Sequence, residues 1–235
     1  MTDLLLMGTA VLLAAFVQGA TGFGFAMISG PIIGLMQPLL LPVFLLIQMV
    51  PLNGFVAWRE RHELDKVGTT WVSAGRFFGT FGGLWVLIVV TEQQLSLLIG
   101  ISTVLAVIGT LLAPKFDPGR RSFVAAGLIT GVTETATGIG GPPLAVVYQH
   151  HRPPMLRSSV AACFLVGEVI SLVILAITGK ITGDQIGTAL ILLPAVLVGA
   201  VGSRLVHHRL EGALMRRVVL GFALVSGLVV MVQAL

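Results

Sequence analysis

The sequence predicts an all-α, polytopic membrane protein built from two inverted repeats, each a re-entrant helical hairpin followed by three transmembrane helices. Three observations carry this expectation. The chain of 235 residues is 56% hydrophobic and only 10% charged, and its mean hydropathy is +1.01. A soluble domain carries about 25% charged residues. Two Gly-Thr stretches, Gln18–Gly24 and Thr130–Gly138, interrupt otherwise apolar runs. They are related: Gly19 and Gly131, Thr21 and Thr133, and Pro31 and Pro143 are each 112 residues apart. The third observation is an uneven distribution of basic residues among the loops.

A single crossing needs about 20 apolar residues, because the hydrocarbon core is about 30 Å thick. The first repeat, 1–116, begins with a hairpin over 4–36. Its limbs, 4–17 and 25–36, are too short to cross, reaching roughly 18 to 21 Å at about 1.5 Å per residue. The run 4–17 resembles a signal h-region, but Asp3 stands where a basic n-region would, and cleavage is not expected. Spans 39–57, 68–90 and 94–113 follow. The loop 114–122, with Pro114, Asp117, Pro118 and Gly119, is the natural junction. The second repeat, 117–235, has a hairpin over 123–149, with limbs 123–132 and 139–149, and spans 158–178, 185–206 and 214–235. Gly79 and Gly82 match Gly199 and Gly202 at an offset of 120, and the longer loop His150–Arg157 accommodates the extra residues. Gly75, Gly79 and Gly83 form a ridge suited to close helix packing, echoed by Ala195 and Gly199.

Loop charge decides between a broken helix that crosses once and a hairpin that returns to its own side. In the hairpin arrangement, loops 58–66, 114–122, 150–157 and 204–217 share one side and hold twelve of the fourteen Lys and Arg residues. Lys180 is on the other side, and Arg76 is within a helix. A single crossing would divide the loop charges seven against six. The hairpin reading places the basic loops in the cytoplasm and both termini outside. Three spans per repeat then invert the second repeat, so the hairpin tips enter from opposite faces and should meet near the midplane. Trp58, Trp71 and Tyr148 suit the membrane interface.

Paired, interrupted hydrophobic segments in two halves of a membrane protein point to a transport site. A helix that stops in lipid leaves backbone N–H groups unpaired, and a restarting helix presents donors and partial positive charge. Two such ends suit an anion. The expected substrate residues are Gln18, Thr21, Gly22, Phe23 and Gly24 at the first tip, and Thr133, Thr135, Thr137 and Gly138 at the second. The alternative is that these Gly and Thr residues serve helix packing. Gln48 and Asn53 either line the cavity or bond between helices. Arg76 either pairs with the substrate or snorkels to the headgroups. Glu168, and after it Glu134, are intramembrane carboxylates suited to proton coupling; the alternative is a neutral, hydrogen-bonded helix contact.

These residues resemble the TauE/SafE sulfite exporter family, the TSUP permeases. The resemblance rests on Gly19-Ala-Thr-Gly-Phe-Gly24 with Pro31, and on Gly131 through Thr137-Gly-Ile-Gly-Gly-Pro-Pro143, with the Gly79 and Gly199 regions agreeing. It implies transport of small anions, often sulfur-containing, across the bacterial inner membrane, with the substrate region at the two tips. Glu134-Thr135 stands where the first tip has Gly22-Phe23, and an acid there repels an anion unless protonated or paired.

The remaining features narrow the classes. The net charge of +4 reports topology rather than nucleic-acid binding. Cys163 is the one cysteine, and no metal or cofactor is expected. The His150-His151 and His207-His208 pairs fall in loops, so metal binding and intramembrane catalysis are the weaker options. No phosphate loop appears, which argues against ATP hydrolysis. The expected partners are a small anion and the bilayer. A cation or zwitterion is the rival substrate. The oligomeric state stays open, a homo-oligomer among the options.

Overall fold

The computed structural model describes residues 2–112, 117–205, 220–221, 224–225 and 227–232. Pro114, Lys115, His207, His208, Arg209, Arg216, Arg217 and much of the expected span 214–235 lie outside the described residues. Within them the chain is helical: α1 (Thr2–Thr21), α2 (Phe25–Met36), α3 (Val43–Arg59), α4 (Lys66–Val89), α5 (Glu92–Leu112), α6 (Arg120–Thr137), α7 (Gly141–Tyr148), α8 (Pro153–Ile177) and α9 (Gly183–Gly202). Helix recurs between 220 and 232. Among the described residues, four helices are long and apolar enough to cross a membrane: Asp3–Thr21, Lys66–Val89, Pro153–Ile177 and Gly183–Leu205.

The breaks are narrower than expected. Helix continues through Gln18–Thr21 and Thr130–Thr137 and stops only at 22–24 and 138–140. The threonines do not stop it because their hydroxyls bond back one turn. Thr21 Oγ1 donates to the Val17 carbonyl (2.9 Å), Thr133 to Ile129 (3.0 Å) and Thr137 to Thr133 (2.8 Å). Glycine stops it. Gly22, Gly24 and Gly138 have φ of 94°, 119° and 80°, a region that L side chains rarely enter. The first limbs therefore run 20 and 18 residues, about 30 and 27 Å, rather than ending at 17 and 132. The second limbs have 12 and 8 residues.

Other boundaries shift for local reasons. The expected span 39–57 starts at Val43, because Pro38–Leu40 forms a 3-10 turn, and has 17 residues. The span expected from 158 starts at Pro153, since proline at a helix start loses no hydrogen bond. At the start of α9, Thr182 and Gln185 form a capping box.

Long helices pack in two equivalent crossings: α4 along α6, and α1 along α9. The sequence offsets match α1 with α6 and α4 with α9, so the two crossings join matching stretches of sequence. α3 packs on α8, which is its own counterpart. Contact is backbone to backbone. A Cβ at Gly75, Gly79 or Gly127 would collide with the partner's backbone, and one at Gly199 would strike the Leu12 carbonyl. Such approach adds dispersion contacts where lipid supplies no hydrophobic drive. Large apolar side chains, including Phe78, Trp85, Val173 and Val198, face outward. The polar groups Gln18, Asn53, Arg76, Glu134 and Glu168 face inward and are buried. Tyr148, expected at the interface, is buried beside Phe123.

Candidate functional site

Five of the expected site side chains form one buried constellation. Gln18 sits in the last turn of α1, Asn53 on α3, Arg76 on α4, Glu134 in the last turn of α6 and Glu168 on α8. Arg76 and Glu168 lie ten and fifteen residues along their helices, about 15 and 22 Å from the starts. The crossings α4–α6 and α3–α8 carry four of the five groups to one centre.

A polar relay joins the first break to the carboxylates. Gln18 Oε1 accepts from the Phe25 amide (2.9 Å), capping the start of α2. Gln18 Nε2 donates to Asn53 Oδ1 (2.7 Å), and Asn53 Nδ2 donates to Glu168 Oε1 (2.6 Å). Arg76 is held from three sides. Its Nη2 pairs with Glu134 Oε2. Its Nη1 donates to the Cys163 carbonyl (2.9 Å), and its guanidinium lies 5.6 Å from the centre of the Phe164 ring. A Cβ at Gly167 would overlap the guanidinium. Arg76 is fully buried, so it does not snorkel.

The constellation has spare capacity. Arg76 Nε, Glu134 Oε1 and Glu168 Oε2 are buried without a hydrogen-bond partner. A cavity of about 10 Å³ adjoins Glu134, lined also by Gln18, Gly24, Gly138, Gly140 and Gly141 among others. That volume suits about one water molecule. Both breaks therefore reach one small space, with Glu134 beside it and Arg76 paired to that carboxylate.

The family model for sulfite exporter TauE/SafE matches residues 7–230. The chain belongs to the TauE/SafE family. It is a multi-pass membrane transporter, a permease with transmembrane helices. No curated protein and no solved structure is significantly similar to it.

The other residues expected in this TauE/SafE protein's site are placed differently. Gln48 donates to the Ala189 carbonyl (3.1 Å), a bond between α3 and α9. Thr135 pairs with Ser171 across α6 and α8 (2.8 Å). The hydroxyls of Thr21, Thr133 and Thr137 are engaged on backbone carbonyls of their own segments. Phe23 is buried, and its carbonyl accepts from Thr21 (2.7 Å). Gly22 packs on Arg157, while Gly24 and Gly138 line the small cavity.

Sequence reasoning missed four participants: the Cys163 carbonyl, the Phe164 ring, Ser171 and Gly167. A small residue directly before an intramembrane carboxylate was the readable signal for Gly167. A backbone carbonyl as the arginine's anchor leaves none.

A second polar cluster fastens the first break. Arg59 Nη2 donates to the Gly19 carbonyl (2.7 Å) at the end of α1, and Nη1 to Ser203 Oγ (3.3 Å). Arg157 Nε donates to both Glu60 oxygens (2.9 and 3.0 Å), and Arg59 pairs with Glu60 (3.1 Å). Arg59 and Arg204 both lie over the Phe55 ring.

Proposed function

We propose that this protein is a secondary transporter of a small anion such as sulfite, a sulfonate or another organosulfur compound, coupled to protons through Glu168 or Glu134. The observation that carries the reading is the buried Arg76–Glu134–Glu168 constellation at the meeting of two helix breaks. Intramembrane ionisable groups are costly and mark substrate or proton paths. Family membership directs the substrate toward sulfite and its relatives.

Two inverted repeats, 1–116 and 117–235, work by alternating access, each with a re-entrant hairpin. The counterpart crossings α1–α9 and α6–α4 support this arrangement. The arginine-rich end, with Arg59, Arg61, Arg157 and Arg204, faces the cytoplasm of a bacterial inner membrane, and both termini face outward. Cysteines introduced at Gln37 and Lys115 are expected to label from opposite sides; labelling from one side would refute the topology.

Two carboxylates against one guanidinium favour a second reading. A zwitterion such as an amino-sulfonate would set its ammonium toward Glu168 and its sulfonate toward Arg76. Flux of the reconstituted protein, across a panel of sulfur oxyanions and sulfonates with and without a pH gradient, tests both readings. Competition with sulfite by an amino-sulfonate but not by a simple sulfonate selects the zwitterion. Flux of no anion overturns the main proposal.

A further inference from the structure

The place best suited to an anion already holds a carboxylate of the chain. Glu134 lies under the start of α7: a Cβ on Gly140 would be 3.2 Å from its carboxyl carbon. It is ion-paired with Arg76 and lines the cavity shared by both breaks. Its position combines a helix start, which favours negative charge, with the buried guanidinium. The adjoining space of about 10 Å³ is too small for an oxyanion beside the carboxylate. An incoming anion therefore takes Arg76 only as Glu134 gives it up.

The two carboxylates are held unequally. Glu168 is tied through Asn53 and Gln18 to the start of α2. Glu134 has the Arg76 ion pair, and its Oε1 has no hydrogen-bond partner. Glu134 can leave without dismantling the relay, which reverses the order expected from sequence. Among the described residues, the charged and titratable groups around this pair are Arg76 from α4, and Glu168 and Cys163 from α8. From α1 comes neutral Gln18, and α2 and α7 contribute backbone and apolar groups.

Resting on the transport reading above, we propose that Glu134 is a tethered substitute for the substrate, so that one proton and one monoanion cross together without net charge. The proton adds to a Glu134 carboxylate oxygen, and the Arg76–Glu134 ion pair breaks. An oxygen of the anion forms the replacement pair with Arg76. Release of the anion and proton on the far side restores the internal pair. One negative charge replaces another at every step, so the buried site never holds an unmatched guanidinium.

The test uses the full chain in proteoliposomes, with methanesulfonate, a monoanion at every pH used, and sulfite as probes. Wild-type protein is expected to accumulate methanesulfonate about tenfold per unit of inside-alkaline pH gradient. Clamping the membrane potential at different values with potassium and valinomycin leaves that accumulation unchanged. Glu134→Gln is expected to carry the anion downhill and to lose the response to the pH gradient. The potential measurement on wild type stands even where the variant does not fold. Uptake by wild type that follows the membrane potential overturns the proposal, and so does a Glu134→Gln protein that still concentrates anion against its gradient. No flux of either probe by wild type overturns the transport reading itself, and this proposal with it.

Discussion

At the first break, Gly22 turns the chain against Arg157, beside the Arg59–Glu60 pair; at the second, Gly138 turns it against Leu45. Each break thus packs near the start of a helix from the other half of the chain, α8 or α3, but the chemistry differs. The first is fastened by Arg59, which reaches the end of α1, and by Arg157, which bonds Glu60. The second is apolar at that contact and carries its charge within, as Glu134 against Arg76. Counting from the positive-φ glycines, Glu134 stands four residues before Gly138 where Gln18 stands four before Gly22, and at the offset of 120 Arg76 matches Val196 and Glu168 matches Gln48. Two matching breaks therefore support a one-sided site, because helix crossings depend on small residues and the chemistry depends on a few differences between them.

The sharpest way to break this contrast is Arg76→Gln. It leaves two carboxylates buried without their cation, and removing one partner of a buried pair costs about 3–5 kcal/mol. Thermal unfolding in detergent is expected to show that loss, with transport abolished. The double variant Arg76→Gln/Glu134→Gln should recover part of the stability; wild-type stability for the single variant would rule out the ion pair as a structural element.

Gly167→Ala comes next. The added methyl displaces the guanidinium from its slot between α4 and α8, and overpacking costs about 1–3 kcal/mol. Flux is expected to fall while the helical content by circular dichroism holds. Unchanged flux would mean the arginine's position is not critical.

The smallest effect is expected for Glu60→Gln at the first break. Hydrogen bonds to charged groups are worth about 1.5–3 kcal/mol when well shielded and less near solvent. Arg157 and Arg59 lose a charged partner, and α1's end loosens. The rate should change while the accumulation driven by a pH gradient stays the same. A variant that loses coupling would show that the first break shares the proton's path.

Much of the fold was legible. Apolar length located the helices and the Gly-Thr stretches located the two breaks; the stops themselves fall later, at glycines 22, 24 and 138, since positive φ is costly for any side chain. The limb lengths were misjudged because threonine looks polar in sequence yet satisfies itself on its own helix. Of the site, Gln18, Asn53, Arg76, Glu134 and Glu168 were legible one by one, since each is expensive in lipid. Gln48 was equally polar, but its partner is the Ala189 carbonyl on another face.

By itself the sequence determined the solvent of this protein, its two glycine-broken stretches and its short inventory of buried polar groups. These are local matters of transfer energy and backbone sterics, readable residue by residue. Only the tertiary structure decided that Arg76 faces Glu134, 58 residues further along the chain, and that Gln18 reaches Glu168 through Asn53. Pairing depends on which helix faces cross, and the crossings are set by glycine contacts that carry no charge.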